Sequence, residues 1–147
     1  MGLTEAWGAG PIAVDTALFI YFIEEHPRFL APVRELFARA DAGEIELVTS
    51  ALTLLEVLVV PLRAGDRTLA AKYDALLTRS RGVRIVDLTR DQLRTAAQLR
   101  ARFSALRTPD ALQLAAAIGA NCTSFITNDR RIPAPDDVRV LQLSEFA

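Results

Sequence analysis

The sequence predicts an α/β domain: a mostly parallel sheet of about five strands with helices on both faces. Short runs with strand character alternate along the chain with segments of helical period, and neither a repeat nor a long biased linker divides it. With 147 residues, 51% hydrophobic and 24% charged, the chain can form one core. At that length a domain buries roughly two-thirds of its unfolded surface.

Residues 1–11 read as a short tail in which Trp7 could pack back on the surface or on a partner, and the domain proper spans 12–147. Ile12, Ala13 and Val14 form a short apolar run that ends on Asp15, as a buried strand does. Residues 16–25 carry Leu18, Phe19, Ile20, Phe22 and Ile23, too evenly apolar for a surface helix. In 32–41, Val33, Leu36 and Phe37 have helical spacing, and Gly43 supplies a stop. Residues 44–48 alternate as a second strand. Ser50 then caps a helix over 51–60, expected to end before Pro61. An amphipathic helix over 66–79 leads to a third strand, Val83–Val86. Residues 89–103 form a helix with Leu93, Ala96, Ala97 and Leu99 as its buried stripe. Thr108 caps the next helix, with Pro109 in its first position, running to Gly119. Residues 123–127 and 138–141 complete the strands, and 144–146 a closing turn.

Composition closes off several function classes. The net charge of −1 excludes a protein that grips nucleic acid by overall positive charge. The single cysteine, Cys122, excludes an intramolecular disulfide and a thiolate zinc site. The single histidine, His26, sits before Pro27 and reads as a loop residue, so histidine-based catalysis has little to work with. No run approaches the roughly 20 apolar residues of a membrane span. The start lacks a basic region followed by an apolar one, so the expected location is cytoplasmic.

Four acids stand in apolar company. Asp15 ends the first strand, where it also suits a helix N-cap. Glu56 is flanked by Leu54, Leu55, Val57 and Leu58; it either lies on a thin exposed stripe, pairs with an arginine, or serves a site. Asp110 falls in the first turn of a helix whose only other polar side chain before Gly119 is Gln113, so that turn should open into a crevice. Asp129 follows the fourth strand in Thr127-Asn128-Asp129, where an Asx turn is the plainer reading. Two strand ends and two helix beginnings can share the crevice that parallel sheets present at their carboxyl edge. Carboxylates gathered there repel unless a cation offsets them. Oxygen ligands without histidine or thiolate favour Mg²⁺ or Mn²⁺, with Thr16, Thr127 and Asn128 orienting the acids. Such a pocket suits phosphate-ester chemistry, because the metal activates water without a histidine base.

Val14-Asp15-Thr16, Leu54-Leu55-Glu56-Val57, Thr108-Pro109-Asp110-Ala111-Leu112 and Ile126-Thr127-Asn128-Asp129 resemble, in order and spacing, the PIN-domain nucleases. The chain looks most like the VapC-type toxins of prokaryotic toxin–antitoxin pairs, from about Ile12 to its end. The resemblance implies a three-layer α/β/α sandwich and a magnesium-dependent endoribonuclease acting on structured RNA such as tRNA or rRNA. It also implies a homodimer, inhibited by a cognate antitoxin protein. Asp15, Glu56, Asp110 and Asp129 match the metal-binding, catalytic acids, with Asp15 and Asp110 closest to the metal. Thr127 and Asn128 match supporting positions. Ala17 departs from the small polar residue many members carry there, and the tail is longer than usual. For RNA, Arg130 and Arg131 are the first candidates for phosphate contacts, against a plain reading as solvated charges.

A different class of function remains open, a catalytically silent domain that binds a protein or RNA partner. A haloacid-dehalogenase-type phosphatase would need an acid where Ala17 stands. A receiver domain would need a lysine near the last strands, and the only one, Lys72, lies in a middle helix.

Overall fold

The computed structural model describes residues 2–147; Met1, the first residue of the expected tail, lies outside them. Chain order is α1 (Leu3–Ala6), β1 (Ile12–Val14), α2 (Thr16–Ile23), α3 (Leu30–Asp41), β2 (Leu47–Ser50), α4 (Leu52–Arg63) and α5 (Arg67–Arg79). It continues with β3 (Val83–Val86), α6 (Arg90–Arg102), α7 (Thr108–Gly119), β4 (Ser124–Thr127), β5 (Arg139–Gln142) and a 3₁₀ turn, Leu143–Glu145. The sheet is parallel throughout, ordered β3-β2-β1-β4-β5.

Strand alternation sorts the core into two halves, because successive side chains point to opposite faces. Ile12, Val14, Leu47 and Ile126 pack with Leu18, Phe19, Leu36, Val57 and Leu77 from α2 to α5. Ala13, Val48 and Phe125 pack instead with Ala96, Leu99, Leu114 and Ala115 from α6 and α7. The result is the three-layer α/β/α arrangement, and the helix pairs settle which face each crossover takes.

Several boundaries differ from the sequence reading. The second strand begins at Leu47 rather than at Glu44, because β2 is a central strand buried on both faces. Such strands read as continuous apolar runs, and the alternating Glu44-Ile45-Glu46 is only their approach. Helix α4 runs through Pro61 to Arg63. Pro61 falls in the last turns, where it forfeits a single backbone bond, and Ala64 N and Asp66 N still donate to Val60 O and Pro61 O at 3.0 and 2.9 Å. Ser50 Oγ accepts from Leu52 N at 3.1 Å, as a cap would, although Ala51 occupies the cap position. On α6 only Ala96 and Leu99 of the expected stripe are buried; Leu93 is 52% exposed and Ala97 is exposed as well.

The residues before β1 pack back. Trp7 is 5% exposed and joins the larger core half with Leu3, while its carbonyl accepts from Ser124 Oγ at 3.1 Å. Just before β3, at the same amino edge of the sheet, Gly82 (φ +78°) is a position only glycine fits: a Cβ there would sit 2.3 Å from Ala40 O.

Candidate active site

The strand order reverses between β1 and β4. Chain connections leave β1 toward β2 and β3, then cross back to β4, so a crevice opens beyond the carboxyl ends of these two neighbours. Asp15 follows β1 directly, with its N–H bonded to Ile126 O at 3.0 Å. It caps α2 as the plainer sequence reading required: Oδ1 accepts from Thr16 N at 2.7 Å. Its other oxygen, Oδ2, accepts from Thr127 Oγ1 at 2.7 Å, and Thr127 Oγ1 in turn accepts from Asp129 N at 3.0 Å. One buried hydroxyl therefore ties together the two strand-end acids.

Asp110 enters from α7. The cap position there is Arg107, one residue before the Thr108 that the sequence favoured, and Thr108 Oγ1 instead accepts from Arg100 Nη1 at 2.8 Å. Pro109 thus occupies the second helical position, where its missing N–H costs nothing because the first-turn donors have no intrahelical partner. Asp15, Asp110 and Asp129 line one open cleft of about 530 Å³ with Thr16, Ala17, Ile20, Tyr21, Asn128, Arg107 and Arg131.

Glu56 does not line that cleft. It reaches the site through Thr16, whose Oγ1 donates to Glu56 Oε1 at 2.8 Å. Beneath lies a buried polar chain: Thr16 Oγ1 and Thr53 Oγ1 are 3.1 Å apart, and Thr53 Oγ1 and Thr49 Oγ1 2.7 Å. Gln113 Nε2 donates to Thr53 Oγ1 at 2.8 Å and Thr16 Oγ1 at 3.3 Å, and Thr49 Oγ1 to Val14 O at 3.1 Å. Both Gln113 bonds end on hydroxyls, and Glu56 is the carboxylate at the end of the chain.

Charge explains how the acids coexist. Burial pushes Asp15 above its ordinary value, against the Thr127 and Thr16 hydrogen bonds, with the charges of Asp110 and Glu56 adding to the rise. Burial also raises Asp110, helped by the charge of Asp129 and opposed by Arg107. Asp129 moves the other way, held low chiefly by its hydrogen bonds from Arg131. Arg131 Nε and Nη2 grip Asp129 Oδ1 and Oδ2 at 3.0 and 2.9 Å, and the expected Asx turn is present as Arg131 N to Oδ1 at 3.0 Å. Arg107 Nε lies 3.5 Å from Asp110 Oδ2.

Asn128 touches none of the acids. Its Nδ2 donates to Tyr21 Oη at 3.2 Å and its Oδ1 accepts from Ser144 N at 2.8 Å, fastening the strand end to α2 and the carboxyl terminus. Arg130 turns to Ser144 and Glu145, away from Asp129. His26 is a local cap, its Nδ1 accepting from Arg28 N and Phe29 N at 3.1 and 3.2 Å.

The donor set fits a hard cation. Three carboxylates face the cleft with no nitrogen or sulfur ligand beside them, and two already draw guanidinium counter-charges. Among the described residues no three His, Cys, Asp or Glu side chains are gathered closely enough to hold a metal ion together. A magnesium-type ion needs no such set, since it takes one or two carboxylates and keeps several waters.

The raised Asp15 has a consequence for stability. The folded protein holds a proton on Asp15 at pH values where the unfolded chain has released it, so stability falls as pH rises through that window. Asp15→Asn keeps an acceptor for Thr16 N but puts a donating amide where Thr127 Oγ1 had its acceptor. It also removes the buried charge, whose relief is the larger effect. In EDTA at pH 7 its Tm is expected to exceed wild type, by about 2–4 °C per kcal/mol relieved. The gain should vanish below the ordinary value of 3.8, where both states are protonated. Thermal melts across pH check both limbs.

The PIN domain family model matches residues 12–138. The chain belongs to the PIN domain family. No curated protein matches it in sequence. Among solved structures, it is similar to VapBC2 from Rickettsia felis, bound to a DNA fragment from their promoter. That match has a TM-score of 0.68 at 20% identity over 90% of this chain and 98% of the other. DNA-bound VapBC from Salmonella typhimurium superposes with a TM-score of 0.65 at 18% identity, covering 92% of this chain and 99% of that one. VapC20 from Mycobacterium tuberculosis, described as a Sarcin-Ricin loop cleaving toxin, gives 0.63 at 20% identity over 78% and 86% of the two chains. These likenesses establish the PIN fold. Arg107, Tyr21, Thr49 and Gln113 join the site beyond the residues singled out from sequence.

Proposed function

We propose that this PIN domain is a VapC-type toxin: a metal-dependent endoribonuclease that hydrolyses RNA phosphodiester bonds and is held in check by a cognate antitoxin protein. The observation that carries the reading is the meeting of Asp15, Asp110 and Asp129 on one cleft at the sheet's switch point. Asp15 and Asp110 would hold Mg²⁺ or Mn²⁺ most directly, with Asp129 beside them and Glu56 acting through Thr16. A bound ion of that kind polarises a phosphoryl oxygen and supplies an activated water near neutral pH. The chain's own part is positional. Thr127 and Thr16 N fix both oxygens of Asp15, and Arg107 and Arg131 bring positive charge to a cleft that must receive a phosphate. Structured RNA, tRNA or rRNA, is the substrate class, in keeping with the rRNA-loop cleavage attributed to VapC20. The antitoxin partner follows from the VapBC complexes among the similar structures. A homodimer is supported by apolar side chains left exposed on α4, among them Leu55, Val59 and Leu62. No helix among the described residues is long and apolar enough to cross a membrane, in keeping with a cytoplasmic site of action.

Purified protein should cut tRNA or rRNA in Mg²⁺ or Mn²⁺, lose cleavage in EDTA and regain it when the ion is restored, with its circular dichroism unchanged throughout. Cleavage that persists in EDTA removes the metal from the reading. A folded wild type that cleaves no RNA under any of these conditions would favour the silent, partner-binding module.

A further inference from the structure

Arg107 and Arg131 both line the acid cleft, one at the start of α7 and the other just past β4. Their guanidiniums occupy the oxygens that a divalent cation would need. Arg131 spans both oxygens of Asp129, and Arg107 reaches Asp110 Oδ2 at 3.5 Å. Each arginine also lies in electrostatic reach of the other's acid, so the four charges act as one set. The acids are mostly covered, with Asp110 and Asp129 side chains 15% and 21% exposed, whereas Arg107 and Arg131 are 59% and 65% exposed. The one-point Arg107 pair, with its arginine so far into solvent, holds weakly and exchanges readily. The two-point Arg131 pair is the stronger of the two although its arginine is as exposed. The long arginine stems let the heads move while the carboxylates stay fixed by their helix and turn.

We propose that Arg107 and Arg131 are exchangeable counter-ions, which yield Asp110 and Asp129 to a divalent cation and turn to the phosphodiester of the RNA. The proposal rests on the metal-dependent RNA reading above and adds an order of events to it. Among the residues that line the cleft the two arginines balance Asp110 and Asp129, leaving Asp15 as the net negative charge of the lining, and Glu56 behind Thr16 adds to the field that attracts a cation. With a divalent ion taken up, the sum becomes positive by one charge, and a single phosphodiester restores neutrality. The guanidinium fork that fits a carboxylate at two points fits a phosphate in the same manner. RNA and cation should therefore each favour the other's binding, because linkage is reciprocal.

The test uses full-length protein and two separate ligands. In ¹⁵N NMR, the Arg107 and Arg131 Nε signals, assigned with Arg107→Gln and Arg131→Gln, should move toward the free-arginine position on saturation with Mg²⁺ alone. In calorimetry, Arg131→Gln should bind Mg²⁺ about tenfold more tightly than wild type. The same variant should bind an rRNA stem-loop about tenfold more weakly in Ca²⁺, with RNA intactness checked on gels, and its log–log salt slope should fall by about one phosphate contact. Opposed signs are the signature. A structural arginine would weaken both ligands, and one that only shields the acids would leave RNA affinity unchanged; either result overturns the exchange. Nε signals that stay in place while Mg²⁺ binds overturn it while sparing the metal reading. A wild type that takes up no divalent cation overturns both.

Discussion

Asp110→Asn is expected to reduce RNA cleavage by about 10³-fold or more in Mg²⁺ while leaving the far-UV circular dichroism unchanged. Loss of a direct metal ligand removes several kcal/mol of transition-state stabilisation, and each 1.36 kcal/mol is a factor of ten. The fold should tolerate the change. Asp110 sits in the first turn of α7, its ion-pair partner Arg107 is largely in solvent, and asparagine keeps the volume. Burial already works against the charged form of Asp110, so the substitution removes a group whose ionisation the fold resists. The same residue predicts an acid limb for the wild type. Asp15 and Asp110 must be ionised to hold a cation, and both titrate above the ordinary carboxylate value, so cleavage should fade on acidification before an unperturbed aspartate would protonate. The decisive measurement is kcat/KM on one RNA for wild type and Asp110→Asn at matched Mg²⁺. Full activity on an unchanged fold would sink the assignment of the site.

What could be read from sequence follows from where the information is local. Asp15 and Glu56 were legible because each is an acid set in an apolar run, a placement that costs free energy unless something offsets it. The two-fold alternation of strands gave the layers once the runs were recognised, yet it could not show that β2 starts at Leu47, because a central strand loses its alternation. Asn128, expected to support the acids, bonds elsewhere for a related reason. Consecutive strand-end residues diverge, so Thr127 aims at Asp15 while Asn128 aims at Tyr21 and Ser144. Glu56 was expected among the metal ligands, but its helix places it one hydroxyl away from the cleft, behind Thr16. Arg107 carried only a weak local signal, its place three residues before Asp110, which puts the two on one helical face but does not set it apart among seventeen Lys and Arg residues. Gln113 did carry one. It is a lone polar side chain in an apolar helix, the same signature that drew attention to Glu56, and its role emerges only when α7 is laid against β2 and α4.

That role makes Gln113→Leu the substitution with the largest expected cost to the fold. Gln113 is 2% exposed, and its amide feeds Thr53 and Thr16 while its carbonyl faces Ser50 N at 3.5 Å. Leucine fills nearly the same space, so the loss is one of hydrogen bonding rather than of volume. Buried partners left short of a bond cost about 1–3 kcal/mol each. A total of about 2–3 kcal/mol corresponds to a fall in Tm of about 4–12 °C for a chain of this length. Cleavage should drop with it, by about 10–100-fold, because Thr16 loses a donor that fixes its hydroxyl toward Glu56. Thr53→Val separates a true network from a set of independent bonds. If Thr16, Thr53 and Gln113 act as one unit, adding Thr53→Val to Gln113→Leu should cost less than the two single changes summed, since the second removes a group the first had already stranded. Additive losses in Tm and in kcat/KM would instead mean that the hydroxyl chain beneath the acids is ordinary core polarity, and that Glu56 takes its position from α4 alone.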